Sequence, residues 1–106
     1  MELLSSSQRA YLRGLANRLD AIFQIGKEGI GENLIKQLDD VLEKRELIKI
    51  SLLETCDHSV KEAAQMICDA TGAQSVQMIG RKIVFYREAK KDENRKIELP
   101  AKKAKK

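Results

Sequence analysis

The sequence of 106 residues has no tryptophan, one proline and only two cysteines, and aromatic residues make up a low 4% of it. Cys56 and Cys68 are too few for a disulfide scaffold, and their spacing matches no metal-binding motif. His58 is the only histidine, so a zinc site cannot be completed from the usual ligands. We therefore expect no metal and no cofactor.

Long apolar segments are also missing. No stretch approaches the roughly 20 apolar residues that a bilayer-spanning helix needs. Residues 1–7 have neither the charged start nor the long apolar run of a signal peptide. We expect a cytoplasmic protein without a membrane segment, whose length suits one domain with a modest core.

Most of the chain carries no net charge. Residues 1–87 hold twelve Lys/Arg and twelve Asp/Glu, whereas residues 88–106 hold eight and four, which gives the whole excess of +4. Attraction of a polyanion by bulk charge would therefore come from the C-terminal residues. We expect a folded domain over residues 1–87 and a basic, flexible tail over residues 88–106.

Hydrophobic periodicity predicts helices and strands in alternation. Helices are expected over residues 7–18 and 32–44, and strands over residues 21–25, 47–53, 76–79 and 82–86. Ser59 and Glu62 form a capping-box sequence that begins a third helix, and Gly72 suits its C-terminal end. Gly80 and Arg81 fit a two-residue type II′ turn between the last two strands.

The predicted order is helix, strand, helix, strand, helix, strand, strand. Strand–helix–strand units favour parallel neighbours, and the terminal hairpin must be antiparallel. The sequence therefore predicts an α/β fold of two layers, in which three helices pack on at least one face of a four-stranded mixed sheet.

The first predicted strand ends in a Gly-x-x-Gly loop, formed by Gly26, Lys27, Glu28 and Gly29, and a helical pattern follows at once. Glycine lets the main chain approach a ligand, and a helix N-terminus presents unpaired N–H groups to an anion. Lys27 adds a cation, whereas Glu28 opposes an anion. A tight turn explains the two glycines equally well, so the residues alone leave both interpretations open.

Two further pairs of cations are candidates for binding phosphate. Arg9 and Arg13 lie four residues apart on one helix face, where tolerated repulsion is typical of a phosphate-binding surface and also of a plain solvated face. Arg81 and Lys82 lie at the predicted hairpin tip. Basic hairpin tips often serve solubility alone, so this pair gains interest only if the tip lies beside the Gly-x-x-Gly loop.

Catalysis is not expected. Cys56 and His58 are close in sequence, but they lie in a predicted polar loop where nothing is evident that would orient the imidazole. Cys68 lies on the apolar stripe of the third helix and is expected to be a small core side chain. Tyr86 resembles a half-buried strand residue more than a platform for stacking a base.

Several segments resemble the YhbY-like proteins, whose fold is called the CRM domain. They are QRAYLRGLA (8–16), IGKEG (25–29), ELIKI (46–50), QMIGRKIVFYR (77–87) and RKIELP (95–100). The resemblance implies a fold similar to the C-terminal domain of translation initiation factor three. It also implies RNA binding, an association with precursors of the large ribosomal subunit, and an RNA contact by the Gly-x-x-Gly loop. At the position of Glu28 the family often has a basic or neutral residue.

Residues and resemblance together predict a monomeric, non-catalytic protein that binds ribosomal RNA during ribosome assembly. The predicted RNA-binding residues are Arg9, Arg13, Gly26, Lys27, Glu28, Gly29, Arg81 and Lys82. The alternative is a protein-interaction module. In that case the acidic outer face of the second helix, formed by Asp39, Asp40 and Glu43, would dock a basic ribosomal protein or assembly factor.

Overall fold

The computed structural model describes residues 3–99 of the chain. Its elements, in chain order, are α1 (Ser6–Ala16), β1 (Phe23–Ile25), α2 (Glu32–Arg45), β2 (Leu47–Leu52), α3 (Val60–Thr71), β3 (Gln74–Ile79), β4 (Lys82–Tyr86) and a 3₁₀ turn (Asp92–Asn94). The predicted order of helices and strands is confirmed. None of the three α-helices in this part of the chain has the length and apolar character that a bilayer crossing requires.

Local sequence signals set the helix ends. Ser59 and Glu62 form the predicted capping box at α3, since the Ser59 hydroxyl accepts from the Glu62 N–H and the Glu62 carboxylate accepts from the Ser59 N–H. Gly72 ends α3 in the left-handed conformation, with φ at 78°. A second capping box, formed by Ser5 and Gln8, begins α1; this box was not predicted.

The four strands form a mixed sheet in the order β1-β2-β4-β3. β1 pairs parallel with β2, as expected for two strands joined by a helix, and β4 runs antiparallel to both β2 and β3. The β3–β4 turn contains Gly80 with φ at 58°. A glycine is favoured there because the first position of the two-residue hairpin turn requires a positive φ.

The two faces of the sheet carry separate apolar clusters, because neighbouring residues of a strand point to opposite faces. Ile83 and Phe85 belong to the cluster under α2 and α3, whereas Val84 and Tyr86 belong to the cluster under α1. The expectation of two layers is therefore corrected to three, with the sheet in the middle. Val84 and Tyr86 are buried on this second face, in one cluster with Leu12 and Ala16 of α1.

Tyr86 is 1% exposed, so its predicted core position is confirmed and its ring offers no surface for stacking a base. Burial, and then the negative charge of Glu46, raise the pKa of the Tyr86 phenol to about 12.

Glu46, which directly follows α2, has a fully buried side chain and an unusual positive φ of 64°. Its carboxylate accepts three main-chain hydrogen bonds, from the N–H groups of Ala89 (2.8 Å), Lys96 (2.7 Å) and Ile97 (2.9 Å). Its own carbonyl accepts from the Arg87 N–H at 2.9 Å. Glu46 thus fixes the chain that follows β4 on the body of the protein.

Residues 88–99, predicted to be part of a flexible tail, pack against the body of the protein. Ala89 is 1% exposed, and Ile97 and Leu99 pack partly buried against the apolar cluster under α1. The remainder of the predicted tail, residues 100–106, lies outside the described residues.

Two of the three carboxylates on the acidic face predicted for α2 have partners within the protein. The buried Arg87 guanidinium contacts the Asp39 carboxylate and donates to the carbonyl oxygens of Asp39 (3.0 Å) and Thr71 (2.9 Å). The Glu43 carboxylate lies 3.9 Å from the same guanidinium and accepts hydrogen bonds from the segment after β4. Asp40 is exposed and the Asp39 side chain is 44% exposed, so these two carboxylates face outward as predicted, but Asp39 and the less exposed Glu43 have partners within residues 3–99.

Glu46→Gln should destabilise the fold by about 2 kcal/mol, because the new amide NH₂ replaces the oxygen that accepts from the Ala89 N–H and leaves two donors facing each other. Chemical denaturation measures the loss, and faster amide exchange at Ala89, Lys96 and Ile97 localises it. Glu93→Gln is the matched control, since Glu93 is exposed. Equal stability of the two variants would contradict the anchoring role of Glu46.

Glu43 should stabilise the fold only above acidic pH. Hydrogen bonds from the Asn94 amide and from the N–H groups of Lys90 and Lys91 lower the pKa of Glu43 from 4.5 to about 2. A carboxyl group with a lowered folded-state pKa contributes fully above its unfolded value, and the contribution is lost as the pH falls from about 4.5 to about 2. The stability difference between the natural protein and Glu43→Gln should shrink over that interval in acid-unfolding curves. Glu54→Gln, at an exposed position, is the matched control.

Candidate functional site

The Gly-x-x-Gly loop, residues 26–29, lies at the end of β1 where Ile25 pairs with Leu52. The Gly29 N–H donates to the Gly26 carbonyl at 3.0 Å, and Gly29 has φ at 73°, so the loop is a tight turn. α2 starts after Gly31, which supplies no side-chain cap. The first N–H groups of α2 therefore have no side-chain acceptor at their N-cap and point out of the helix beside the loop.

The two loop glycines serve different structural needs. A Cβ atom at Gly26 would lie 3.1 Å from Thr55 Oγ1 and 3.3 Å from Leu53 Cδ1, so Gly26 allows close packing on the β2–α3 loop. Gly29 instead has open space around it and is favoured by its positive φ. Both glycines thus have a place in the turn itself, and a ligand is not needed to explain them.

The charges at the loop are mixed. Lys27 is exposed and forms no hydrogen bond or ion pair with any residue from 3 to 99. The Glu28 carboxylate turns back over the loop, with Oε1 3.4 Å from the position of a Gly26 Cβ. Glu32 adds a second carboxylate in the first turn of α2. An anion at the loop would therefore gain from Lys27 and the N–H groups and lose from two carboxylates.

The hairpin tip, formed by Gly80 and Arg81, lies at the same end of the sheet as the loop. Arg81 donates from Nε to the Leu52 carbonyl (2.9 Å) and from Nη2 to the Leu53 carbonyl (2.8 Å). The Leu53 N–H in turn donates to the Ile25 carbonyl at 2.8 Å, directly before the loop. The hairpin tip therefore lies beside the Gly-x-x-Gly loop. This was the condition under which Arg81 and Lys82 became candidates for binding phosphate.

The arginines of α1 lie far from the loop. Arg9 donates from Nη1 to the Ser75 carbonyl at 2.5 Å, on the edge strand opposite β1. Ser75 and Ile48 lie in one row across the sheet. Ile48 precedes Leu52 by four residues in β2, and Leu52 pairs with Ile25. With about 4.8 Å between strands and about 3.3 Å per residue, Ser75 and Ile25 are about 20 Å apart. The sheet itself also separates α1 from the helices that pack on its other face.

The predicted cations fall into two groups. Arg9 and Arg81 donate to main-chain carbonyls and so help to position α1 and the hairpin tip. The side chains of Arg13, Lys27 and Lys82 form no hydrogen bond or ion pair within residues 3–99. The second group is therefore the one with unengaged charge for a phosphate.

Lys49 is a cation near the candidate site that was not among the predicted RNA-binding residues. It lies in β2 between Ile48 and Ile50, whose side chains enter the core under α2 and α3, so its own side chain lies on the second face of the sheet. The strict alternation of this strand was the signal that could have identified it as a half-exposed cation.

An open groove of about 720 Å³ lies between β1 and α2, next to the loop. Its walls include the amide side chains of Asn33 and Gln37, one helical turn apart, together with the apolar Phe23 and Leu34. Glu28 and Glu32 also line the groove, so it offers neutral amide groups together with two carboxylates beside the loop.

Cys56 and Cys68 are both free thiols, and both are at least partly buried. Cys56 lies in the loop between β2 and α3, as predicted, but its side chain is buried in the core cluster under α2 and α3. Burial raises the pKa of the Cys68 thiol, which packs partly buried against that cluster. Within residues 3–99 no three His, Cys, Asp or Glu side chains come together as a metal site.

Known proteins have sequences similar to this one over nearly its whole length. The sequence is 44% identical over 98 residues to the Probable RNA-binding protein YqeI of Bacillus subtilis, covering 92% of this chain and 100% of that protein. It is 34% identical over 106 residues to an RNA-binding protein of Haemophilus influenzae, with 96% and 100% covered.

A solved structure has the same fold. The solution structure of the hypothetical protein SAV1595 from Staphylococcus aureus superposes with a TM-score of 0.75 and 51% sequence identity, covering 92% of this chain and all of that one. Residues 4–87 match the CRS1 / YhbY (CRM) domain, a span that includes the Gly-x-x-Gly loop and the hairpin tip. The chain therefore belongs to the CRS1/YhbY (CRM) domain family.

Proposed function

We propose that this protein binds RNA, without catalysis, through the end of the sheet that carries the Gly-x-x-Gly loop and the hairpin tip. The observation that carries the proposal is the hydrogen-bonded connection from Arg81 through Leu53 to Ile25. It brings the unengaged ammonium groups of Lys27 and Lys82 to one end of the sheet. Relatives that bear the name RNA-binding protein support RNA as the polyanion.

Phosphate groups are the part of RNA that this end of the sheet suits. Lys27 and the uncapped N–H groups at the start of α2 would hold a phosphate, in the way that helix N-termini hold anions generally. Glu28 and Glu32 oppose the same anion, so this contact is of modest strength. Binding would depend on several weak phosphate contacts and on the local shape of the RNA.

Arg81 and Lys82 have different tasks in this proposal. Arg81 uses its guanidinium to hold the tip against the carbonyls of Leu52 and Leu53, and so positions the neighbouring lysine. Lys82 is exposed and contributes the charge. Lysines 102, 103, 105 and 106 would add a sequence-independent attraction that weakens as salt rises.

The RNA that we propose is ribosomal RNA in a precursor of the large subunit, bound by a monomer in the cytoplasm. Support for this finer assignment is the resemblance to single-domain CRM proteins and the small, non-catalytic body. Structured ribosomal RNA presents phosphates at irregular spacing, to which separate weak contacts on one rigid protein surface are suited.

Lys27→Glu should weaken binding of a large-subunit ribosomal RNA fragment more than fivefold at 0.1 M salt, since loss of one phosphate contact to a single strand alone removes about fivefold. Thermal stability should stay nearly unchanged because the side chain is exposed and unbonded. Fluorescence anisotropy at several salt concentrations measures both the affinity and the salt slope.

Lys44→Glu is the matched control for this change. Lys44 is an exposed lysine in the last turn of α2, about 18 Å along the helix from the end that carries the loop. The control should retain most of its RNA affinity. Equal loss in the two variants would show that only net charge matters and would remove the loop from the proposed interface.

The protein-interaction alternative has lost part of its basis, because Arg87 and the segment after β4 engage Asp39 and Glu43. A full-length variant with lysines 102, 103, 105 and 106 all replaced by glutamine separates the two functions. We expect weaker RNA binding that still falls steeply with salt, measured by the same titration. Complete loss of RNA binding would mean that the folded body does not bind RNA and would favour the alternative.

A further inference from the structure

The second face of the sheet is only half covered. Leu12 and Ala16 of α1 pack in one cluster with Leu47, Val76, Val84 and Tyr86, and all six are buried. These strand residues lie toward the start of β2 and the end of β4. The rows nearer the hairpin tip extend beyond this cluster and have exposed or half-exposed side chains.

Strand register identifies the side chains of the uncovered half. Gln24, Ser51, Lys82 and Ile79 form one row across all four strands, and Lys49 and Gln77 both pair with Val84 in the next row. Paired residues share a face, and Val84 faces α1. We call this surface the basic strip: Gln24, Lys49, Ser51, Gln77, Ile79 and Lys82.

The charge of the basic strip has one sign. Lys49 and Lys82 are diagonal neighbours on adjacent strands, which places them about 7–8 Å apart. Neither side chain forms a hydrogen bond or ion pair within residues 3–99, and no carboxylate belongs to the strip. Asp20 lies in the cleft next to Lys49, but Arg18 and Arg45 line the same cleft.

The strip also connects two surfaces that the sheet otherwise separates. Lys82 directly follows the hairpin tip beside the loop, and Gln77 lies two residues after Ser75, whose carbonyl accepts from Arg9. Arg13 lies one turn further along the same face of α1. A path of polar and basic side chains therefore runs from the loop end of the sheet to the arginines of α1.

We propose that the basic strip binds the phosphate backbone of a single RNA strand that runs from the hairpin tip to Arg13. This inference rests on the proposed function and deepens it by adding Lys49 as a contact. Two lysines without a carboxylate between them complement a chain of phosphates, which replaces their mutual repulsion by attraction. Exposed Ile79 at the edge of the strip, 56% accessible, offers an apolar surface to a base.

Lys49→Gln tests the strip, with single-stranded poly(U) as the probe. Poly(U) affinity should fall about fivefold at 0.1 M salt, and the slope of log K against log salt should fall by about 0.7, the values for one lost phosphate contact. Lys44→Gln is the matched control, because Lys44 lies in the last turn of α2, a helix that packs on the other face of the sheet, and is far from the loop. It should change neither quantity.

Ser51→Glu is the second variant, in case Lys49→Gln disturbs β2. It places a carboxylate in the centre of the strip and should weaken poly(U) binding at least as much. If both variants fold, melt like the natural protein and bind poly(U) as Lys44→Gln does, the strip is not an RNA contact. If Lys27→Glu weakens binding in the same titration, the proposed function stands while the strip is overturned. If the natural protein does not bind poly(U) or ribosomal RNA, the proposed function fails and the strip fails with it.

Discussion

The carboxylate of Glu46 is buried, forms no ion pair with any residue from 3 to 99, and accepts hydrogen bonds from three main-chain N–H groups. Leaving water is costly for a charge, so these bonds must all form for the side chain to stay inside. They hold residues 89–97 against the body, which lets Ile97 and Leu99 join the apolar cluster that α1 shares with the sheet. The anchor thus brings two further apolar side chains to the cluster on which α1 packs.

The arginines of the candidate site act mainly as supports. Arg81 binds the hairpin tip to the β2–α3 loop, and Arg9 binds α1 to the edge of β3. Fixed guanidinium groups of this kind place flexible lysines at defined points on the surface. In the function that we propose, the lysines supply the charge, so that a body with no net charge could still present a surface suited to phosphate.

Long-range contacts account for the failures of the sequence analysis. Asp39 and Glu43 look like an outward face from helical periodicity, but Arg87, more than forty residues later, engages both of them. Cys56 looks polar from its neighbours, yet the β2–α3 loop turns it into the core. The distance between Arg9 and the loop followed from neither motif, because it is set by strand order. The resemblance to CRM proteins, by contrast, predicted the family correctly, and the order of helices and strands predicted the mixed sheet.

The sequence by itself determined the features whose causes are local. The capping box of Ser59 and Glu62, the left-handed Gly72 and the hairpin at Gly80 each depend on residues within a few positions, so they are readable from composition and spacing. Only the tertiary structure decided which cations remain free and which faces stay open. The reason is physical: the partners of Glu46 and Arg81 lie 28 to 51 residues away, and strand register, which no short segment encodes, brings them together.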